Sequence, residues 1–141
     1  MTDPKRIPAP RLWLVLSRCQ RAMSAHAERS IAGTGLCLSD FMALEALLHK
    51  GPLTIGEIRA KVLLASGSMT AAIDRLENLG LVRRGSSETD RRARVIHLTS
   101  KGSAEIRSAY RRHTRDLEAA AAVLSDLETE TLYGLVRKLE L

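Results

Sequence analysis

The sequence predicts a mainly α-helical fold with one small β-hairpin, and three observations carry the prediction. Leu and Ala dominate an apolar fraction of 45% in which aromatic residues make up only 3%, so aliphatic side chains on helices must build the core. Apolar residues recur at spacings of three and four through successive segments separated by glycine, proline and hydroxyl residues. Once only, this rhythm gives way to two short runs, "LVRR" and "RVIHL", around a polar connector. At 141 residues the chain suits a single domain, 1–141, with a real core.

Taken in order, the first helix runs through "APRLWLVLSRCQRAMSAHAERSIAG". Pro10 suits a first helical position, and Leu12, Leu16, Cys19, Met23 and His26 make one face before Gly33 and Gly35. Ser39 is the expected N-cap of a second helix whose apolar face is Phe41, Leu44, Leu47 and Leu48, stopped at Gly51 and Pro52. Thr54 with Glu57 fits a capping box for a third helix that points Ile55, Ile58 and Val62 inward. In the fourth, Met69, Ala72, Ile73, Leu76 and Leu79 follow the helical period, and Gly80 is placed to end it. Its opposite face carries Thr70, Ala71, Asp74 and Arg75, preceded by Ser66, Gly67 and Ser68, so its exposed end has no bulky side chain to keep another surface away, and Arg75 can reach further along it. After the hairpin, with Val82, Val95, Ile96 and Leu98 as its apolar positions, Thr99 caps a long helix. Ile106, Tyr110, His113, Leu117, Ala120 and Leu124 run along that helix at close to heptad spacing. A second capping box, Ser125 with Glu128, opens a last helix lined by Leu132, Leu135, Val136 and Leu139.

The net charge is +6, unevenly spread: residues 1–35 carry +4, 36–49 carry −2, 50–99 carry +4 and 100–141 are balanced. Five arginines fall between Arg83 and Arg94 with only Glu88 and Asp90 against them. Such a patch suits a polyanionic partner. No apolar run reaches the roughly 18 residues of a membrane span, "LWLVL" is too short for a signal peptide, and the expectation is a cytoplasmic protein with no membrane partner. Cys19 and Cys37 form no C-x-x-C pair, so neither a disulfide framework nor a metal site is signalled, and no cofactor is called for. The histidines His49, His97 and His113 are scattered, and no nucleophile–base pair can be assembled, so an enzyme is not expected.

Helix, turn, helix and hairpin in this order make a winged helix-turn-helix, in which the second helix of the pair enters the DNA major groove. An arginine-bearing wing tip suits a narrow, electronegative minor groove, while Arg83 and Arg84 at the hairpin base are expected on phosphates. Asp90 is expected to pair with a neighbouring arginine and fix the shape of the tip. The long helices on either side, 10–35 and 100–141, exceed what the 36–99 module needs and are expected to pair two copies of the chain across half-sites one helical turn apart.

"GPLTIGEI", "SGSMTAAIDRLENLGLVRR" and above all "DRRARVIHLTSKG" resemble the MarR (multiple antibiotic resistance regulator) family, most clearly from Leu38 to Gly102. The resemblance implies a homodimeric transcription factor, most often a repressor, on a palindromic double-stranded operator. It maps the family's wing signature onto Asp90 and Arg92 and its recognition-helix contacts onto the Ser66 to Arg75 face. It further implies release of DNA by a phenolic, quinone-like or other small aromatic effector bound between the dimerisation helices and the reading module, or by cysteine oxidation. Trp13 stands roughly where peroxide-sensing members have their cysteine, and Tyr110 and Tyr133 are distant in sequence, which counts against organic-peroxide sensing.

The DNA-binding residues expected are therefore Ser66, Ser68, Thr70, Ala71, Asp74, Arg75, Arg83, Arg84, Arg91, Arg92 and Arg94, with Arg92 foremost on the wing. Trp13, His26, Arg29 and Met42 are the candidates for an effector pocket. Two alternatives stay open: a winged-helix protein-interaction module without DNA binding, and a regulator that responds through Cys19 or Cys37.

Overall fold

The computed structural model describes residues 6–62 and 67–140. Eight elements follow one another as α1 (Ala9–Ile31), α2 (Leu38–Lys50), α3 (Ile55–Lys61), α4 (Met69–Asn78), β1 (Val82–Ser86), β2 (Arg94–Leu98), α5 (Ser100–Ala121) and α6 (Asp126–Arg137). A single 3-10 turn, Ala32–Thr34, and Gly35 at φ 76° join α1 to α2, whose axes differ by 85°. No single described helix is long and apolar enough to cross a membrane.

The predicted caps at Thr54, Thr99 and Ser125 are present, the first and last as full capping boxes. Ser39 is not a cap. Helix α2 starts at Leu38 with Cys37 in the cap position and no side-chain cap bond, because Leu38 packs against the core. Leu79 also departs from expectation: it is 49% exposed. The helix ends at Asn78, Leu79 is its C-cap, and Gly80 at φ 74° turns the chain away, so the helical period no longer governs position 79.

Phe41, Leu44, Ile58, Ile73, Leu76 and Ile106 are fully enclosed and join α2, α3, α4 and α5 into one core. The hairpin is antiparallel, with Val82 opposite Leu98 and Ser86 opposite Arg94, and Val82, Val95 and Ile96 are buried. Leu53 adds a bridge to Ile96, donating its N–H to the Ile96 carbonyl at 3.3 Å and accepting the Ile96 N–H at 2.7 Å. A lone two-stranded ribbon is marginal in water, so this third edge contact anchors the wing to the module.

Helix α1 behaves differently along its length. It packs on α5, but only its C-terminal part reaches the core, through Ala27, Ser30 and Ile31. Of the expected face, Leu12 and Cys19 are exposed and Leu16, Met23 and His26 are half-buried. All the described residues of α6 are exposed, Leu132 and Leu135 among them.

His113 on α5 sits where α1, α2 and α5 meet. Its Nδ1 lies 2.9 Å from the Oγ of buried Ser30, which itself donates to the Ala27 carbonyl at 2.7 Å, and its ring lies 4.7 Å from that of Phe41. With the serine proton committed to Ala27, Nδ1–H is the donor to Ser30. Burial lowers the His113 pKa below its ordinary value, against the opposing charges of Glu45 and Asp116. The folded state therefore keeps the ring neutral, whereas the unfolded chain takes a proton near pH 6.5. Stability contributed by this site is complete above about pH 6.5 and falls as the pH drops below it. Melting curves between pH 7.5 and 5 should show a smaller loss of Tm on acidification for His113→Gln than for the unaltered chain; parallel curves would remove His113 from the pH response.

Candidate nucleic-acid interface

The face left open by the core is built on α4 and the hairpin. Helix α4 buries Met69, Ala72, Ile73 and Leu76, which turns Thr70, Ala71, Asp74 and Arg75 outward, all of them exposed. Ser68 is its N-cap, its Oγ accepting the Ala71 N–H at 3.3 Å, so this hydroxyl serves the helix end while staying exposed. Ser66 lies outside the described residues.

The arginines of this face divide into two groups. Arg75 reaches across to α2 and pairs with Asp40 at 2.9 Å; the Asp40 side chain is only 7% exposed. Its Nη2 also stands 4.0 Å from the Cys37 Sγ. Arg84, on β1, pairs with Asp74 at 2.5 Å and Glu77 at 2.7 Å, both on α4. Side-chain hydrogen bonds, to Asp40 for Arg75 and foremost to Asp74 for Arg84, raise both guanidinium pKa values further above their ordinary range. Arg83, Arg91, Arg92 and Arg94 are exposed and form no ion pair among the described residues. The expected phosphate contacts Arg83 and Arg84 thus differ: Arg83 stands free and Arg84 is engaged by the protein itself. Asp74, expected among the DNA-binding residues, is ion-paired with Arg84, which it shares with Glu77.

The wing tip is shaped by Asp90, though not through an arginine side chain as expected. Its Oδ1 accepts the main-chain N–H of Arg92 at 2.9 Å, and its carbonyl accepts the Ala93 N–H at 3.1 Å. This aspartate turn suits a short side chain that bonds its own backbone two residues on. The Ser87 N–H to the Ala93 carbonyl, at 3.1 Å, closes the loop. Arg91 and Arg92 then project from a fixed turn.

Where β1 follows α4 and α5 begins, Thr99 holds three elements at once. Its N–H donates to the Leu81 carbonyl at 3.1 Å, its Oγ1 donates to the Gly80 carbonyl at 2.6 Å, and the same oxygen accepts the Gly102 N–H at 3.0 Å. Gly102 rests on the Leu81 main chain so closely that a Cβ there would lie 2.8 Å from the Leu81 carbonyl carbon.

The effector candidates are only partly brought together. His26 Nδ1 lies 3.0 Å from Arg29 Nη2, both away from the core. Trp13 is 66% exposed, and its position is about 20 Å along α1 from His26 at 1.5 Å per residue. Met42 lines two clefts. It closes an apolar hollow of about 200 Å³ between α1, α2 and α5 with Met23, Ala27, Leu38 and Leu117. It also borders a cavity of about 440 Å³ with His49, Lys61 and Tyr110. Sequence reasoning misses Leu38 and Leu117 here, because their periodicity reads equally well as core.

A helix with small outward residues beside a wing with free arginines defines the class: a winged helix-turn-helix module of the DNA-reading kind. Comparison with known proteins agrees. Residues 34–93 match the model described as "MarR family". The HTH-type transcriptional regulator MhqR of Bacillus subtilis is 35% identical over 131 residues, 93% of this chain and 90% of that protein. A mutant of Escherichia coli MarR solved with operator DNA superposes with a TM-score of 0.81 at 20% identity, covering 99% of this chain and 100% of the other. Bordetella bronchiseptica BpsR, whose DNA binding is regulated by 6-hydroxynicotinic acid, gives a TM-score of 0.77 at 19% identity over 99% and 96%. The last two speak to the fold alone. The chain belongs to the MarR family of winged-helix transcriptional regulators, which are not enzymes.

If the aspartate turn sets the wing, Asp90→Ala should leave the melting temperature within a few degrees while Arg92 and Ala93 amide exchange accelerates at least tenfold. Unchanged exchange at both amides would show that the turn does not depend on Asp90.

Proposed function

We propose that this regulator is a homodimeric, cytoplasmic repressor that binds a palindromic duplex operator and lets it go when a small aromatic effector is bound. One observation carries the DNA-binding part. The small-residue face of α4 adjoins a wing whose Arg83, Arg91, Arg92 and Arg94 form no ion pair among the described residues, and Arg84 offsets half of the negative charge that Asp74 and Glu77 bring to that face. Phosphate contacts by Arg83, Arg91, Arg92 and Arg94 supply affinity, while Ser68, Thr70 and Ala71 allow α4 close to base edges. The complex of the similarly folded E. coli protein with operator DNA supports this placement.

Dimerisation rests on apolar surface that no other described residue of one copy covers. Ile7 and Trp13 before and on α1, and Tyr133, Leu135 and Leu139 on and after α6, are each more than half exposed. Large apolar side chains left exposed along both flanking segments fit an interface with a second copy. The segments 10–35 and 100–141 are the dimerisation helices and 36–99 the reading module in this reading. The effector's place is the hollow lined by Met42 and Leu38, where the dimerisation helices meet the module. A ligand there changes DNA affinity only if it favours one arrangement of the two modules over the other, and a tenfold change needs about 1.4 kcal/mol of such preference. The regulation of BpsR by 6-hydroxynicotinic acid supports an effector of this size.

The test is binding to duplex DNA from the region upstream of its own gene across a range of salt concentrations, with Arg92→Ala alongside. The dimer should bind with log K falling steeply in log salt, and the variant should flatten that slope by about 0.9 for each phosphate that Arg92 neutralises. Weak binding that neither salt nor Arg92→Ala alters would refute the reading.

A further inference from the structure

We infer that Arg84 is a positioning residue of the DNA-reading surface and not one of its DNA contacts: with Asp74 and Glu77 it pins the wing to α4. This rests on the DNA-binding reading above and goes beyond it by dividing the arginines of the face by task.

Three hydrogen bonds carry the inference. Arg84 Nη2 donates to Asp74 Oδ1 at 2.5 Å, Nη1 donates to Glu77 Oε1 at 2.7 Å, and the Arg84 main-chain N–H donates to Glu77 Oε2 at 3.2 Å. Asp74 and Glu77 are one helical turn apart on α4, so their carboxylates are neighbours on one face. The planar guanidinium has donors enough to satisfy both at once, where a lysine would meet one at a time. The strand, not only the side chain, is held, because Glu77 grips the Arg84 side chain and its backbone together.

The exposures decide what this clamp is for. The side chains of Arg84, Asp74 and Glu77 are 34%, 57% and 40% exposed. Pairs this open add little to global stability. What they do fix is the relation of two elements that must meet one duplex together, and a clamp formed before binding spares the cost of ordering the wing at the moment of contact. It has a second consequence. Two carboxylates on a helix presented to DNA would repel phosphate, and Arg84 offsets one of their two negative charges from within the protein. Arg83, Arg91, Arg92 and Arg94, with no ion pair among the described residues, keep their charge for the duplex.

The two possible roles of Arg84 predict opposite results for Asp74→Ala/Glu77→Ala. If Arg84 is a phosphate contact, removing two negative charges from the DNA-facing helix and freeing the guanidinium tightens binding. If it is a clamp, binding to the upstream duplex weakens, by roughly tenfold, although the protein has become more positive. Alanine favours helix at both positions, so α4 is not put at risk. Amide exchange in the DNA-free protein gives the second readout: the clamp predicts faster exchange at Arg84 in the double variant and in Arg84→Met, which keeps the apolar stem. Tighter or unchanged DNA binding by the double variant, or unaltered exchange at Arg84 in both variants, overturns the inference. An unaltered chain that binds no duplex would sink the DNA-binding reading, while the exchange result would still report on the clamp.

Discussion

The close approach of Gly102 to the main chain of Leu81 is the constraint on which the reading surface depends. No side chain fits between them. Because α5 can come this near, Thr99 reaches both the end of α4, through the Gly80 carbonyl, and the start of the hairpin, through the Leu81 carbonyl. Lys101 adds a bond from its Nζ to the Leu79 carbonyl at 2.9 Å, satisfying another of the orphan carbonyls at the C-terminus of α4. The junction thus fixes where α4 stops, where β1 departs, and how both stand on the long helix behind them. The resemblance of "LTSKG" to the MarR pattern acquires a physical reason here: one residue is the hydroxyl that bonds both neighbouring elements, and the other is the glycine that makes room for it.

On this frame the charges are sorted. Some arginines are spent within the protein, Arg84 on α4 and Arg75 on Asp40 of α2. Arg83, Arg91, Arg92 and Arg94 on the hairpin form no ion pair among the described residues. Asp40 is the more demanding partner, because its carboxylate is almost wholly enclosed and a buried charge must be paired. It also occupies the first turn of α2, between Leu38 and Met42, which line the apolar hollow proposed for an effector. A displacement of that turn reaches Arg75 on α4 directly. Two states of this contact would give the coupling between cleft and reading helix a concrete element to act on.

Much of this is legible in the sequence. Helix periods, caps at Thr54, Thr99 and Ser125, the stop at Gly80 and the hairpin all rest on local rules, and local rules hold. Ser39 and Leu79 fail where tertiary packing or the end of a helix overrides them. The pairing of Asp40 with Arg75 joins residues 35 positions apart, and no periodicity announces such a partner. Arg84 misleads for a related reason: a basic residue at a hairpin base looks the same in sequence whether its carboxylates or a phosphate await it. The carboxylates at Asp74 and Glu77, one turn apart and just upstream, are the available signal. Asp90 does organise the tip, but the acceptor-to-amide geometry of a turn is invisible when only opposite charges are being matched. The effector candidates are the weakest part, since apolar residues on facing helices serve core and cleft alike.

The central claim is that α4 and the wing meet one duplex together. Hydrogen–deuterium exchange of the protein with and without saturating upstream duplex tests it most directly. New protection is expected in two separate stretches, around Thr70–Arg75 and around Ser87–Arg92, with α6 unchanged. Protection confined to α6 or to the N-terminal half of α1, with the wing and α4 unaffected, would contradict it.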